Sequence, residues 1–291
     1  MSKEATLYSP VIKDERGIVS VVFAKDHPGY DDPEYQRHRA GIAEAALRYV
    51  PGQPVPDVVY TEEEHATWRL VNAELAEKHR RHACREFLAG KERLALPDDR
   101  LPQLGEASAA INEATGFRFS PAAGLVEVRD FYGSLADRRF QATQYIRHFS
   151  MPRFSPEPDM IHEVVGHGSH LSAQRLADLY ELFGKAVRRL RSKEAVGMVS
   201  SVFWFAMEYG LVREDGDIKA CGASLLSSCA ELERFQEADI RPLDVASMAG
   251  QGYLVEQYQP VLFCADSFAH MEEFLSTFLI TVSDADPLAT T

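Results

Sequence analysis

Residues 156–167 read Pro156-Glu157-Pro158-Asp159-Met160-Ile161-His162-Glu163-Val164-Val165-Gly166-His167, and the interval between the two histidines decides how the chain around them must fold. An α-helix turns about 100° per residue, so positions five apart point about 140° away from one another. His162 and His167 therefore cannot share a face of a regular helix, unlike the i, i+4 pair of the HExxH zinc helix. Gly166 offers the release, because it can end the helix and let His167 fold back toward His162. Two imidazoles would then meet one metal ion. A third donor stands downstream in Trp204-Phe205-Ala206-Met207-Glu208-Tyr209-Gly210-Leu211, an apolar run in which an unpaired Glu208 carboxylate would cost several kcal/mol. Two neutral imidazoles and one carboxylate, with positions left open, are the facial set of non-haem Fe(II) oxygenases. The same residues also allow a plainer arrangement, two core histidines and a glutamate paired with an arginine.

Composition narrows the surroundings. The 291 residues are 45% hydrophobic, enough for one large domain with a sizeable core. A net charge of −13 argues against nucleic acid and anionic membrane surfaces, both of which favour basic patches. Cys84, Cys221, Cys229 and Cys264 show neither CxxC pairing nor a disulfide framework, and read as buried thiols. The stretch Met1 to Tyr8 lacks the apolar core of a signal peptide, and no window approaches the run of about 18 apolar residues that a membrane span needs. A cytoplasmic location is expected.

Periodicity predicts mostly helices. One runs from Asp32 to about Tyr49; another opens at the Thr61/Glu64 capping box and carries Trp68, Val71, Leu75, His79, Ala83 and Phe87 to a stop at Gly90. His79 reads as a core histidine. Further helices are expected over 103–115 before Gly116, from Phe131 to about Ile146, from a Ser172 cap through Leu190, from Glu194 to Met207, from Ala223 to Phe235, and over 267–279. Strands are expected at 18–23 and 261–265, and a hairpin turns at Asp215-Gly216.

Four blocks in this order give the chain a resemblance: Thr143-Gln144-Tyr145-Ile146-Arg147-His148, the run 156–167, the Trp204 to Leu211 run, and Gly222-Ala223-Ser224-Leu225-Leu226-Ser227-Ser228. Together they are similar to the catalytic domain of the pterin-dependent aromatic amino acid hydroxylases, with a likeness from about Asp26 to about Phe278. The resemblance implies a mainly α fold, a single catalytic domain shaped as a helical basket with a few short strands, over 26–280. Residues 1–25 would be an extended lead-in and 281–291 a polar tail. It implies Fe(II) and a tetrahydropterin, tetrahydrobiopterin or a relative, as cofactors, and an aromatic amino acid and O₂ as partners. His162, His167 and Glu208 match the iron ligands, and Glu163 the acid facing the pterin. Phe131 matches the ring that stacks on the pterin, with Gly124 and Val126 at its edge. Arg147 matches the arginine that grips the substrate carboxylate, as a guanidinium fork suits, and Asp159 the acid that orients it. Ser155 and Ser227 match hydroxyl positions near the amino acid. Trp204 is the residue phenylalanine and tyrosine hydroxylases carry there, and Val255 matches an apolar position of phenylalanine hydroxylases.

The departures from the family pattern bear on where the ring is attacked. Phe203 stands where a tyrosine is common, Ser155 replaces a common threonine, Gly168-Ser169-His170 replaces the usual Val-Pro after the second histidine, and Gln141 and Cys229 also differ. His170 is expected to be structural or to support a ligand rather than to be a fourth one. The leading expectation is a monooxygenase converting L-phenylalanine to tyrosine. The alternatives are meta-hydroxylation of phenylalanine and 5-hydroxylation of tryptophan; a zinc hydrolase with Glu163 as general base and a non-catalytic binding protein are readings of other classes. The length leaves no room for a regulatory domain or an oligomerisation helix beside this catalytic domain, so a monomer is expected.

Overall fold

Asp32 and Thr61 start the first two long helices by the same device, a side-chain oxygen that accepts from backbone N–H groups of the first turn. Asp32 accepts from Glu34 and Tyr35 and opens α1 (Pro33–Arg48), and Thr61 exchanges both capping-box bonds with Glu64 to open α2 (Glu62–His82). Such a cap contributes about 1 kcal/mol. The computed structural model describes residues 9–253 and 258–285. Ahead of α1 lies an antiparallel pair, β1 (Val11–Lys13) and β2 (Val19–Val21).

The long helix expected to end at Gly90 is two helices. The chain leaves α2 at Ala83, where the Cys84 N–H donates to the Ala220 carbonyl at 2.9 Å, and resumes as α3 (Arg85–Leu94). Gly90 sits inside α3. A Cβ there would lie 1.9 Å from the Ser169 carbonyl oxygen, so glycine serves close packing rather than termination. Then follow α4 (Leu104–Thr115), closed by Gly116 at φ +81 as expected, β3 (Arg118–Pro121) and α5 (Val128–Leu135). The helix expected to reach Ile146 stops at Leu135. Arg139–Ala142 instead form β4, parallel to β3, because alternating burial of Phe140 and Ala142 satisfies a strand as readily as a helix.

Residues Ile161–His167 form a π-helical turn that runs directly into α6 (Gly168–Leu171). α7 (Gln174–Arg189) follows without a side-chain cap: Ala173 stands at the N-cap position, and the Ser172 hydroxyl, expected to cap, donates to the Gly168 carbonyl instead. α8 (Lys193–Phe203) passes into a second π-helical turn, Trp204–Glu208. β5 (Leu211–Glu214) and β6 (Asp217–Ala220) make the expected hairpin, with Asp215 and Gly216 at positive φ. The single helix expected over 223–235 is broken into α9 (Ala223–Leu226) and α10 (Glu231–Arg234). β7 (Asp239–Pro242) and α11 (Val245–Gly250) had no signal in the sequence. β8 (Val261–Ala265) completes a four-stranded sheet of order β6-β5-β8-β7, and α12 (Phe268–Thr281) closes the described chain.

The helices share one apolar core through Trp68, Phe87, Phe119, Tyr180 and Phe205. All four cysteines are buried and free. Among the described residues no helix is long and apolar enough to cross a membrane. Replacing Gly90 with alanine should destabilise the protein by about 1–3 kcal/mol through overpacking, a loss that urea unfolding of the purified variant would register.

Candidate active site

The Gly166 expectation is corrected by the backbone. The helix does not end there; it widens. The Gly168 N–H donates to the carbonyl of Glu163, five residues back, and this i→i+5 register brings residues five apart onto one side of the helix. Gly166 has a different task, since a Cβ on it would lie 2.7 Å from the Ala223 carbonyl oxygen. Trp204–Glu208 repeat the device, with the Tyr209 N–H donating to the Trp204 carbonyl at 2.9 Å.

The two turns bring the three donors together. His162 Nε2 and His167 Nε2 face each other at 3.0 Å, and His167 Nε2 lies 3.2 Å from Glu208 Oε1. His162 Nε2 is 4.0 Å from Glu208 Oε2. Nitrogen donors sit about 2.1 Å from a first-row divalent ion, so two of them at right angles are about 3 Å apart. The spacing fits one ion held on one face.

Behind each donor stands a polar partner. His162 Nδ1 meets Ser227 Oγ at 3.1 Å, and Ser227 in turn donates to the Ser224 carbonyl. Ser224 Oγ donates to Glu208 Oε2 at 2.8 Å. His167 Nδ1 meets the Tyr180 hydroxyl at 2.7 Å. Such partners fix ring orientation and tautomer.

Electrostatics separates Glu163 and Glu208, the two pocket carboxylates nearest the imidazoles. Glu163 also lies within 4.8 Å of both imidazoles, yet burial pushes its pKa up to about 7, with His167 and two bonds from Thr143 only partly opposing. Glu208 is equally buried, but His167 and His162 overcome that and hold it down at about 2. Glu208 is the permanent anion and Glu163 the group poised to carry a proton. Burial, then the neighbouring His167, drops His162 to about 4. Burial opposes charge on His167 too, but Glu208 outweighs it and raises that pKa.

These residues line a cavity of about 930 Å³ that also admits Gly124, Val126, Phe131, Arg147, Ser155, Asp159, Trp204 and Ser227. Arg147 is buried, and Asp159 grips it bidentately, Nε and Nη2 each 2.8 Å from a carboxylate oxygen. Ser155 Oγ donates to the Glu157 carbonyl. Phe131 lies edge-on to Phe140 and Phe203. Trp204 stacks on Tyr253 at 4.3 Å between centroids. Val255 lies outside the described residues. Three contributors to the site, Ser224, Thr143 and Tyr180, carry no signal of their own in the sequence. Ser224 lies in the 222–228 block, Thr143 opens the 143–148 block, and Tyr180 falls within the helix expected from Ser172 to Leu190, beside the apolar Leu176, Leu179 and Phe183; their contacts with Glu208, Glu163 and His167 are tertiary and leave no local pattern.

A family model for biopterin-dependent aromatic amino acid hydroxylases matches residues 18–286. The chain belongs to that family. Among its relatives, the phenylalanine 3-hydroxylase of Streptomyces coeruleorubidus is 43% identical over 89% of this chain and 92% of its own length. The tyrosine 3-monooxygenase of Bos taurus is 43% identical over 87% of this chain, which spans about half, 52%, of that enzyme. Of solved structures, the apo phenylalanine hydroxylase of Colwellia psychrerythraea superposes with a TM-score of 0.71 at 26% identity, over 78% of this chain and 87% of that one. The Chromobacterium violaceum phenylalanine hydroxylase, solved with iron(III) and 7,8-dihydrobiopterin, gives 0.71 at 28% over 76% and 81%.

A metal ion held between these donors would take the unprotonated ring of His167, whose proton Glu208 helps to retain. Uptake should therefore release a proton, and affinity should fall about tenfold per pH unit below the raised His167 pKa while levelling off above it. Cobalt(II) titrations of the metal-free protein across about pH 5.5–8.5 would read this slope.

Proposed function

We propose that this chain is an Fe(II)- and tetrahydropterin-dependent phenylalanine 3-hydroxylase, placing one oxygen atom of O₂ on the meta carbon of L-phenylalanine. The observation that carries the ring position is the 43% identity to a phenylalanine 3-hydroxylase along 92% of that relative's length. The tyrosine 3-monooxygenases, named for the same carbon, match at similar identity. Tyrosine, the product expected from the sequence, has weaker support: the rat and mouse phenylalanine-4-hydroxylases match at 40% over 58% of their length. Family membership leaves the zinc hydrolase and the non-catalytic binding protein without support.

Iron would be held by His162, His167 and Glu208, and the bound iron and reduced pterin supply oxygen activation and the two electrons that reduce the second oxygen atom to water. The chain itself positions, screens and moves protons. The Arg147 fork, stiffened by Asp159, takes the substrate carboxylate. Trp204 and Phe203 wall the ring site, and Phe203 offers an aromatic edge with no hydroxyl to fix the ring's rotation. Attack at the meta carbon needs only a modest turn of the bound ring. Phe131, Gly124 and Val126 flank the pterin, beside which Glu163 can hold or give a proton near neutral pH.

Incubation with phenylalanine, reduced pterin and Fe(II) should yield meta-tyrosine as the main product by chromatography; a preponderance of para-tyrosine would overturn the ring position. Arg147→Ala should weaken apparent phenylalanine binding by about 2–5 kcal/mol, the range for truncating one partner of a buried charge pair, read as a raised KM.

A further inference from the structure

His170 and Tyr180 touch neither the cavity nor any of its expected ligands except through His167, and their bonds form a chain with a fixed direction. It begins at the Cys221 carbonyl, 2.7 Å from His170 Nε2. A carbonyl oxygen only accepts, so His170 Nε2 carries the hydrogen, and in the neutral ring Nδ1 is then a lone pair. That Nδ1 lies 3.0 Å from the Tyr180 hydroxyl, which must donate to it. The Tyr180 oxygen is left to accept, and its remaining partner at 2.7 Å is His167 Nδ1, which therefore bears a hydrogen. In the neutral His167 ring the lone pair falls on Nε2, the atom turned toward His162 Nε2 and Glu208 Oε1. Reversing any link would put a hydrogen where the metal must sit. His170, Tyr180 and His167 are all buried, so water does not offer a substitute for a missing link.

We propose that Tyr180 and His170 are positioning residues that use the Cys221 carbonyl to lock His167 in its Nδ1–H tautomer and so set metal affinity. The inference rests on the reading of His162, His167 and Glu208 as the metal site, and deepens it. It also gives a use to the Gly168-Ser169-His170 departure noted in the sequence: His170 acts behind a ligand rather than as one. Burial drops the His170 pKa to about 3, which keeps its ring neutral and the direction of the chain intact.

Tyr180→Phe keeps the ring that packs edge-on against Phe140 and Phe203 and removes only the hydroxyl. Cobalt(II) affinity, measured by chelator competition on the metal-free proteins, should fall by about 10–100-fold, the usual cost of losing a partner behind a histidine ligand. The thermal midpoint of the metal-free variant, followed in parallel, separates this from general loosening, which lowers the midpoint without a selective loss of affinity. Histidine long-range ¹H–¹⁵N correlation spectra of the zinc-loaded parent need no variant: they should show hydrogens on His170 Nε2 and His167 Nδ1. A Tyr180→Phe affinity within tenfold of the parent, or a hydrogen on His170 Nδ1, overturns the inference alone. A parent protein that binds no cobalt(II) overturns the metal-site reading and this inference with it.

Discussion

Two backbone hydrogen bonds of i→i+5 register, Gly168 N–H to Glu163 and Tyr209 N–H to Trp204, are what the rest of the site depends on. In α-helical register His162 and His167 would diverge. A π-helical turn is intrinsically poor and persists where surrounding contacts over-determine it. Those contacts are present here. Asp159 receives the His162 backbone N–H at 3.3 Å while gripping Arg147, and α9 presses so closely on Gly166 that no side chain fits between them. One segment supports all three donors from behind. Residues 221–227 meet Glu208 through Ser224 and His162 through Ser227, and stand behind His167 at two removes, through His170 on the Cys221 carbonyl and then Tyr180.

The outer face of the motif is tied down differently. Glu157, in the same Pro-Glu-Pro-Asp run, is buried against Arg39 at 2.8 Å and His27 at 3.3 Å, and accepts from the Ser9 backbone. Although buried, it is held at about 2 by His27 and Arg39. Breaking a buried pair strands the other charge and is strongly destabilising. The acid therefore fastens β1 and α1 to the loop that leads into the site, and Val11 of β1 reaches the Gly124 edge of the cavity.

The site was more legible than the path of the chain. His162, His167 and Glu208 could be singled out by residue type and spacing, Arg147 and Asp159 only by the family resemblance, and the fold brings all five around one cavity. What local pattern could not carry was register and long-range pairing. A spacing of five residues between histidines signals a site, but a helix end and a widened turn satisfy it equally. Phe140 and Tyr145 fitted a helical stripe until β3 claimed 139–142 as a strand partner. Gly90 looked like punctuation because nothing near it in sequence reveals the Ser169 carbonyl against which it packs. Tyr180 sat within an apolar stripe, and its hydroxyl acquired meaning only when tertiary packing set two imidazoles on either side of it.

Two glutamates in one pocket do different work because of what surrounds them, not because of what they are. Both are buried, and burial alone would neutralise both. Glu208 stays ionised because His167 and His162 face it and Ser224 donates to it. For Glu163 burial wins: His167 and then Thr143, whose backbone N–H and hydroxyl both meet Oε1, offset it only in part, and the pKa is pushed up to about 7. When environments push paired carboxylates apart in this way, one becomes a fixed charge and the other a proton carrier. Exchanging the roles would require moving the imidazoles, and their position is set by the π-helical register. The acid–base division of the pocket is thus a consequence of backbone geometry.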